Sequence, residues 1–363
     1  MKRPRASVRA CALVLAALAG GMSTVRADVR SALEDYKAGR YLESAAELQA
    51  IVDRLPAYAY GYFLLGHCML EMKHPSEAER EFRRALALDP SHPEYYQGLA
   101  LALKAQADWT QAVRAASQGL SRVDDPEQRF SLLSLRGYAW GALERWPEAA
   151  RDLEAARLIH AEPWICLLLG KAYVAMGSFA GAIPPLREAL GVTPDDPAVL
   201  RLLAESLVHV AMDEINPKRK RAFYVEAQGY ARRLAAARPD DPDVVHLVAR
   251  TAMGAGQLEQ AAELFLHVLS LDPRQCYAMI NLGRTYTALH RFAEAESFLR
   301  QAAACAPRLP AVFESLGNLY LAESLPQRAA EAFARADEIE PARGGPRVVP
   351  RRATPQTIPV RGP

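Results

Sequence analysis

Residues able to do acid–base, metal or thiol chemistry are present in this 363-residue chain, but they do not fall into working sets. Eight histidines are scattered at His67, His74, His92, His160, His209, His246, His267 and His290, and no two share a helical face at i, i+4. There is no Gly-rich phosphate loop, no HExxH pair and no GxSxG elbow. No catalytic residue, metal ligand or cofactor is expected. Cys68, Cys166, Cys276 and Cys305 show neither CxxC nor Cys/His metal spacing, and read first as small apolar core residues. Cys276 and Cys305 fall at the start of one helix and the end of its antiparallel partner, so a bridge between them stays open as the alternative. Lys218-Arg219-Lys220-Arg221 is the one strong charge run of the interior. Such a run is usually a solvated face; the alternatives are an acidic partner or a lipid head group.

The elements that carry these residues repeat. Ala78 and Ala112 are 34 residues apart, as are Ala227, Ala261, Ala295 and Ala329, each from the next. Pro56 and Pro90 keep the same step, as do Pro239, Pro273, Pro307 and Pro341. A period of this length means a stacked array of small supersecondary units. In the unit from Pro242, the residues Val244, Val245, Leu247, Val248 and Ala252 share one helical face. Gly254 and Gly256 then break the helix, and Ala261, Ala262, Leu264, Phe265, Val268, Leu269 and Leu271 line a second one before Pro273. Neither helix can bury its apolar side alone, so the hairpins must stack. The recurrent alanine allows close approach of two helices.

The order of a large apolar residue, Leu-Gly, an aromatic, then Ala, Phe and Pro resembles the tetratricopeptide repeat (TPR) family. One unit carries it as Tyr62, Leu65, Gly66, Ala78, Phe82, Ala85 and Pro90, and another as Phe313, Leu316, Gly317, Tyr320, Ala329, Phe333, Ala336 and Pro341. The resemblance implies an all-α fold: an α-solenoid of about nine helix-turn-helix hairpins forming a right-handed superhelix. Units begin near residues 28, 59, 93, 130, 163, 197, 242, 276 and 310. An aromatic just after the turn recurs as Tyr41, Trp109, Trp146, Phe179, Tyr224 and Phe292. The rhythm departs in three places: Asp124-Asp125-Pro126 extends a loop, a closing proline is missing before Pro163, and the sixth unit is 11 residues longer than its neighbours. Both helices of that sixth unit are expected to be lengthened and to protrude around Asn216-Pro217. In the first unit Ser44 replaces the usual alanine.

The two ends differ from the body. Residues 1–27 hold five basic groups, no acid and a short apolar run from Ala10 to Ala19, followed by Val25-Arg26-Ala27. This reads as a secretory signal peptide cleaved after Ala27, and the run is too short to span a bilayer. A periplasmic or secreted location follows, with no membrane-spanning segment left in the mature chain. Residues 342–363 form a Pro/Arg-rich tail with little to bury, expected to be disordered. Ten of the 44 basic residues lie in these ends, leaving 28–341 with 34 basic against 42 acidic groups, a net of −8. That balance argues against nucleic-acid binding, which needs a basic surface.

The resemblance also implies that the first helices line a concave groove. The residues it points to are Tyr60, Phe63, His67, Tyr138, Trp164, Lys171, Arg201, His246, Arg250, Tyr277, Asn281, Arg284 and Asn318, with Gln97, Lys104, Ser134, Glu205 and Glu314 among them. Arginine and asparagine suit a peptide backbone or acidic groups, and aromatics suit side chains. The expected function is a non-enzymatic scaffold that binds a protein or peptide partner in the cell envelope, within an export or envelope-assembly complex. The alternative is a small-molecule or polysaccharide binder using Tyr60, Phe63, Tyr138 and Trp164 as stacking platforms. The chaperone-tail clamp of some relatives, a Lys/Asn pair, is not reproduced: Ile280 stands beside Asn281.

Overall fold

The computed structural model describes residues 23–340, with side chains from residue 28; the expected signal peptide and C-terminal tail therefore lie almost wholly outside the described residues. Every regular element among the described residues is an α-helix. The helices pair as hairpins and fall into two compact units, the first ending at Pro194 and the second starting at Asp195.

The first unit holds five hairpins: α1 (Ser23–Lys37) with α2 (Tyr41–Arg54), α3 (Ala59–Glu71) with α4 (Pro75–Leu88), α5 (Pro93–Ala105) with α6 (Trp109–Leu120), α7 (Pro126–Ala142) with α8 (Trp146–Ile159), and α9 (Pro163–Ala175) with α10 (Phe179–Val192). The second unit holds four: α11 (Pro197–Asp213) with α12 (Pro217–Ala237), α13 (Pro242–Gly254) with α14 (Leu258–Leu271), α15 (Cys276–Ala288) with α16 (Phe292–Cys305), and α17 (Pro310–Ala322) with α18 (Pro326–Ile339). Within each unit the second helix of a hairpin also packs on the first helix of the next. The residues near Asp124 do not simply lengthen a loop. Asp125 accepts a hydrogen bond from Gln128 N at 2.9 Å and caps α7, so the helix starts at Pro126 and already includes residue 130.

The repeated small residues sit where helices come closest. Ala78, Ala149, Ala182, Ala261, Ala295 and Ala329 are completely buried. The glycine of the Leu-Gly pair does matching work on the facing helix. A Cβ on Gly66 would stand 2.8 Å from the Phe82 ring; on Gly170, 2.5 Å from Leu186; on Gly283, 2.5 Å from Leu299; and on Gly317, 2.5 Å from Phe333. In each case the covering residue lies 16 positions later, directly across the hairpin. Ser44, in place of alanine, is also fully buried, and its hydroxyl donates to the Ala32 carbonyl at 2.7 Å. The hydroxyl is therefore satisfied inside the core.

Most hairpin turns share one backbone device. In the α3–α4 turn, His74 N bonds to Met69 O and Lys73 N to Leu70 O, the paired bonds of a Schellman motif, with Lys73 at φ 66°. Ala107, Glu144, His290 and Ser324 occupy the same left-handed position, which Gly39, Gly177 and Gly256 take without a Cβ. The aromatics Tyr41, Trp109, Trp146, Phe179 and Phe292 open the helix that follows each such turn, whereas Tyr224 lies well inside α12 and covers Gly254.

One reading of the cysteines needs correction. Cys276 and Cys305 are not core residues: they form a disulfide, with Cα atoms 5.8 Å apart, between the start of α15 and the end of α16. Cys305 is exposed. Cys68 and Cys166 are free and buried, as small apolar residues. Antiparallel pairing in a hairpin brings its open end together, and that geometry made the bridge possible.

Candidate functional site

Successive helix residues turn by about 100°, so the residue after each close-approach position is rotated off the hairpin seam. In the second unit that row is Glu205 after Ala204, Arg250 after Ala249, Arg284 after Gly283 and Asn318 after Gly317. These residues stand on α11, α13, α15 and α17, each first helix packing on the next.

Arg250 is the centre of the row. It is half-buried and forms no ion pair with any carboxylate among the described residues. Its charge still acts on its surroundings. Glu205, half-buried, has its carboxyl pushed upward by desolvation, opposed by Arg201 and Arg250. His209 is lowered by burial and then by Arg250. His246 is lowered to about 4 by burial, with Arg250 adding repulsion, and is therefore neutral at physiological pH.

The expected groove residues of this unit take different roles. Asn281 is buried, and its amide donates to His246 Nε2 at 3.1 Å, locking both side chains into the helix–helix contact. Arg284 Nε donates to Ser315 Oγ at 2.7 Å and its Nη2 to the Ala311 carbonyl at 3.5 Å, tying α15 to α17, while the residue as a whole is exposed. Arg201 lies 3.8 Å from Asp241, which caps α13 through the backbone N–H groups of Asp243 and Val244. Tyr277 is 58% exposed, and Asn318 is exposed. Asp241 and Tyr224 join this surface and the buried Ser315 supports it from below; none of the three was among the expected groove residues. Asp241 had a readable signal, an Asp-Pro pair at a helix start. Ser315 had none, because its role depends on an arginine 31 residues away.

In the first unit, the aromatics expected to face a groove are largely engaged in packing. Phe63 is buried, 6.0 Å from the Phe82 ring and 5.0 Å from that of Tyr95. Tyr60 stacks on Phe63 at 5.7 Å. His67 stands edge-on to Phe63 at 4.6 Å, and burial lowers its pKa to about 4. Lys104 Nζ lies 4.3 Å over the Tyr138 ring, beside Trp109. Trp164 remains 46% exposed, and Lys171 is exposed. Among the described residues no three His, Cys, Asp or Glu side chains gather as a metal-binding set, and no helix is long and apolar enough to cross a membrane.

Comparison with known proteins agrees with this architecture. Two tetratricopeptide repeat profiles match, one at residues 35–102 and 252–319 and the other at 167–209. The C-terminal part of a TPR repeat-containing protein from Cytophaga hutchinsonii is similar in structure, with a TM-score of 0.53 and 15% identity over 70% of this chain and 99% of that one. A thermophilic TPR protein of Thermus thermophilus matches with a TM-score of 0.38 and 20% identity, over 50% of this chain and 98% of its own. No curated protein matches the sequence.

Proposed function

We propose that this chain, which belongs to the tetratricopeptide repeat family, holds an extended, acidic segment of a partner protein along the first helices of its second unit. TPR arrays generally mediate protein–protein interaction, and their fold is typically a non-catalytic scaffold. The observation that carries the reading is Arg250. It is a half-buried guanidinium that forms no ion pair among the described residues, Glu205 feeling its charge without pairing with it, on a row continued by Arg284 and Asn318. A carboxylate from a partner would supply the missing acceptor, in a partly desolvated place where a charge-assisted bond is strong. Tyr277, largely exposed on the same helix about two turns before Arg284, offers an aromatic contact further along the same partner segment.

The cell envelope is the proposed location. The basic, apolar and small-residue order of residues 1–27 supports export, and the Cys276–Cys305 bridge suits an oxidising compartment. An export or envelope-assembly complex would be the setting. The sugar-stacking alternative has less support, since Tyr60, Phe63 and Tyr138 pack against neighbours and Trp164 alone of its four aromatics is exposed.

The test is crosslinking in intact cells. Wild-type chain and the pair Arg250→Glu with Arg284→Glu are compared for recovery of captured proteins. Loss of one captured partner is the expected result. Unchanged recovery removes the second-unit row from the reading.

A further inference from the structure

The lengthened hairpin α11–α12 has a use that partner binding along the first helices does not absorb. Counted against its neighbour, α11 has 17 residues where α13 has 13, and α12 has 21 where α14 has 14. The connecting segments, Glu214–Asn216 and Ala255–Gln257, are equally long. Ala227 and Ala261 hold equivalent places in α12 and α14, so all the added residues lie at the α11–α12 turn. At 1.5 Å per residue the tip extends roughly 6–10 Å beyond the α13–α14 turn.

That tip is apolar at its apex and basic around it. Ile215 is 93% exposed and Met212 is 55% exposed. Lys218, Arg219, Lys220 and Arg221 follow Pro217 at the start of α12, whose first turn carries no acid. Asn216 caps this turn through Lys218 N and Arg219 N. Lys220 Nζ reaches back to the Met212 carbonyl at 3.3 Å, so the cations stand beside the apolar residues. Of the two acids nearby, Glu214 is paired with Arg219 at 3.2 Å. Cations at a helix N-terminus oppose its dipole, and an external anion relieves both that repulsion and their own.

We propose that the α11–α12 tip docks on an anionic phospholipid bilayer, with Ile215 and Met212 entering the head-group boundary and Lys218, Arg219, Lys220 and Arg221 meeting lipid phosphates. The charge complementarity is that of a basic amphipathic anchor. A flat lipid surface suits this shape better than a protein does. A specific protein interface buries about 800 Å² on each side, whereas two apolar side chains on a projecting turn offer far less. A bilayer accepts a small wedge and supplies phosphates on every side of it.

The experiment is co-sedimentation of the purified chain with vesicles of phosphatidylcholine alone and with equal parts of phosphatidylcholine and phosphatidylglycerol. Binding to the anionic vesicles only, reversed by high salt, is expected. The pair Lys218→Gln with Lys220→Gln should weaken it roughly thirtyfold, about fivefold for each charge. Ile215→Ser should weaken it separately, and an Ile215→Trp variant should show a blue-shifted emission on anionic vesicles. All these positions but Lys220 are exposed, and circular dichroism confirms that each variant keeps its helix content. The proposal is overturned if wild type ignores anionic vesicles, binds neutral ones equally, or binds as well after these substitutions. Retention of poly-glutamate through the same cations, with no vesicle binding, would assign the tip to an acidic protein instead.

Discussion

Phe82 of α4 lies against Gly98 of α5, its Cε1 2.3 Å from the point a Cβ on that glycine would occupy. The same fully buried ring covers Gly66 of its own hairpin at 2.8 Å. One side chain therefore joins two hairpins, and it does so only because both facing positions lack a side chain.

Gly98→Ala should accordingly destabilise the protein. Alanine improves helix propensity by about 1 kcal/mol. Overpacking against a ring held on both sides costs about 1–3 kcal/mol. The net effect, measured by urea unfolding, should be a lower midpoint. Phe82→Leu should remove the conflict, so the double variant should lose less than the two single losses together.

Reduction of Cys276–Cys305 should weaken the second unit selectively. The bridge closes a loop of 29 residues, for which chain-entropy arguments give about 3.6 kcal/mol. Hydrogen exchange with and without reductant should show faster exchange in α15 and α16, with little change in α3 and α4. Uniform change across both units would contradict this local role.

Stability should fall in mild acid. His67 and His246 have folded pKa values lowered to about 4, against 6.5 in the unfolded chain. Between those values the unfolded state binds more protons, so stability declines as pH drops from about 6.5 towards about 4. Each histidine should contribute about 1–3 kcal/mol to that loss. Thermal melts at pH 7 and pH 5 measure it, and His246→Gln should flatten the decline.

Glu144→Gly should stabilise the α7–α8 turn. Glu144 holds φ 57°, a left-handed conformation that costs a residue with a Cβ roughly 1 kcal/mol. The gain should be about 0.5–1 kcal/mol, read from the unfolding midpoint. The same change at Arg145, one residue on and outside the left-handed region, should give no such gain.

The sequence by itself determined the hairpins. A 34-residue return of small residues and prolines needs no distant information, because each unit repeats the same local contest between burial and chain turning. It also located the lengthened hairpin, through an excess over a regular period. What it left open depended on three-dimensional neighbours. The candidate row was legible as residue types on first helices, but Asn281 turned inward to His246, and Phe63 and His67 joined the packing around Phe82. Helical phase tells which residues share a face, not how a neighbouring hairpin covers that face. The Cys276–Cys305 bridge was open in the sequence for a similar reason: pairing at the end of a hairpin depends on how its two helices finally align. That Arg250 forms no ion pair among the described residues is likewise a property of the packed unit, since carboxylates are abundant in the chain and tertiary placement leaves Glu205 near enough to feel its charge without pairing with it.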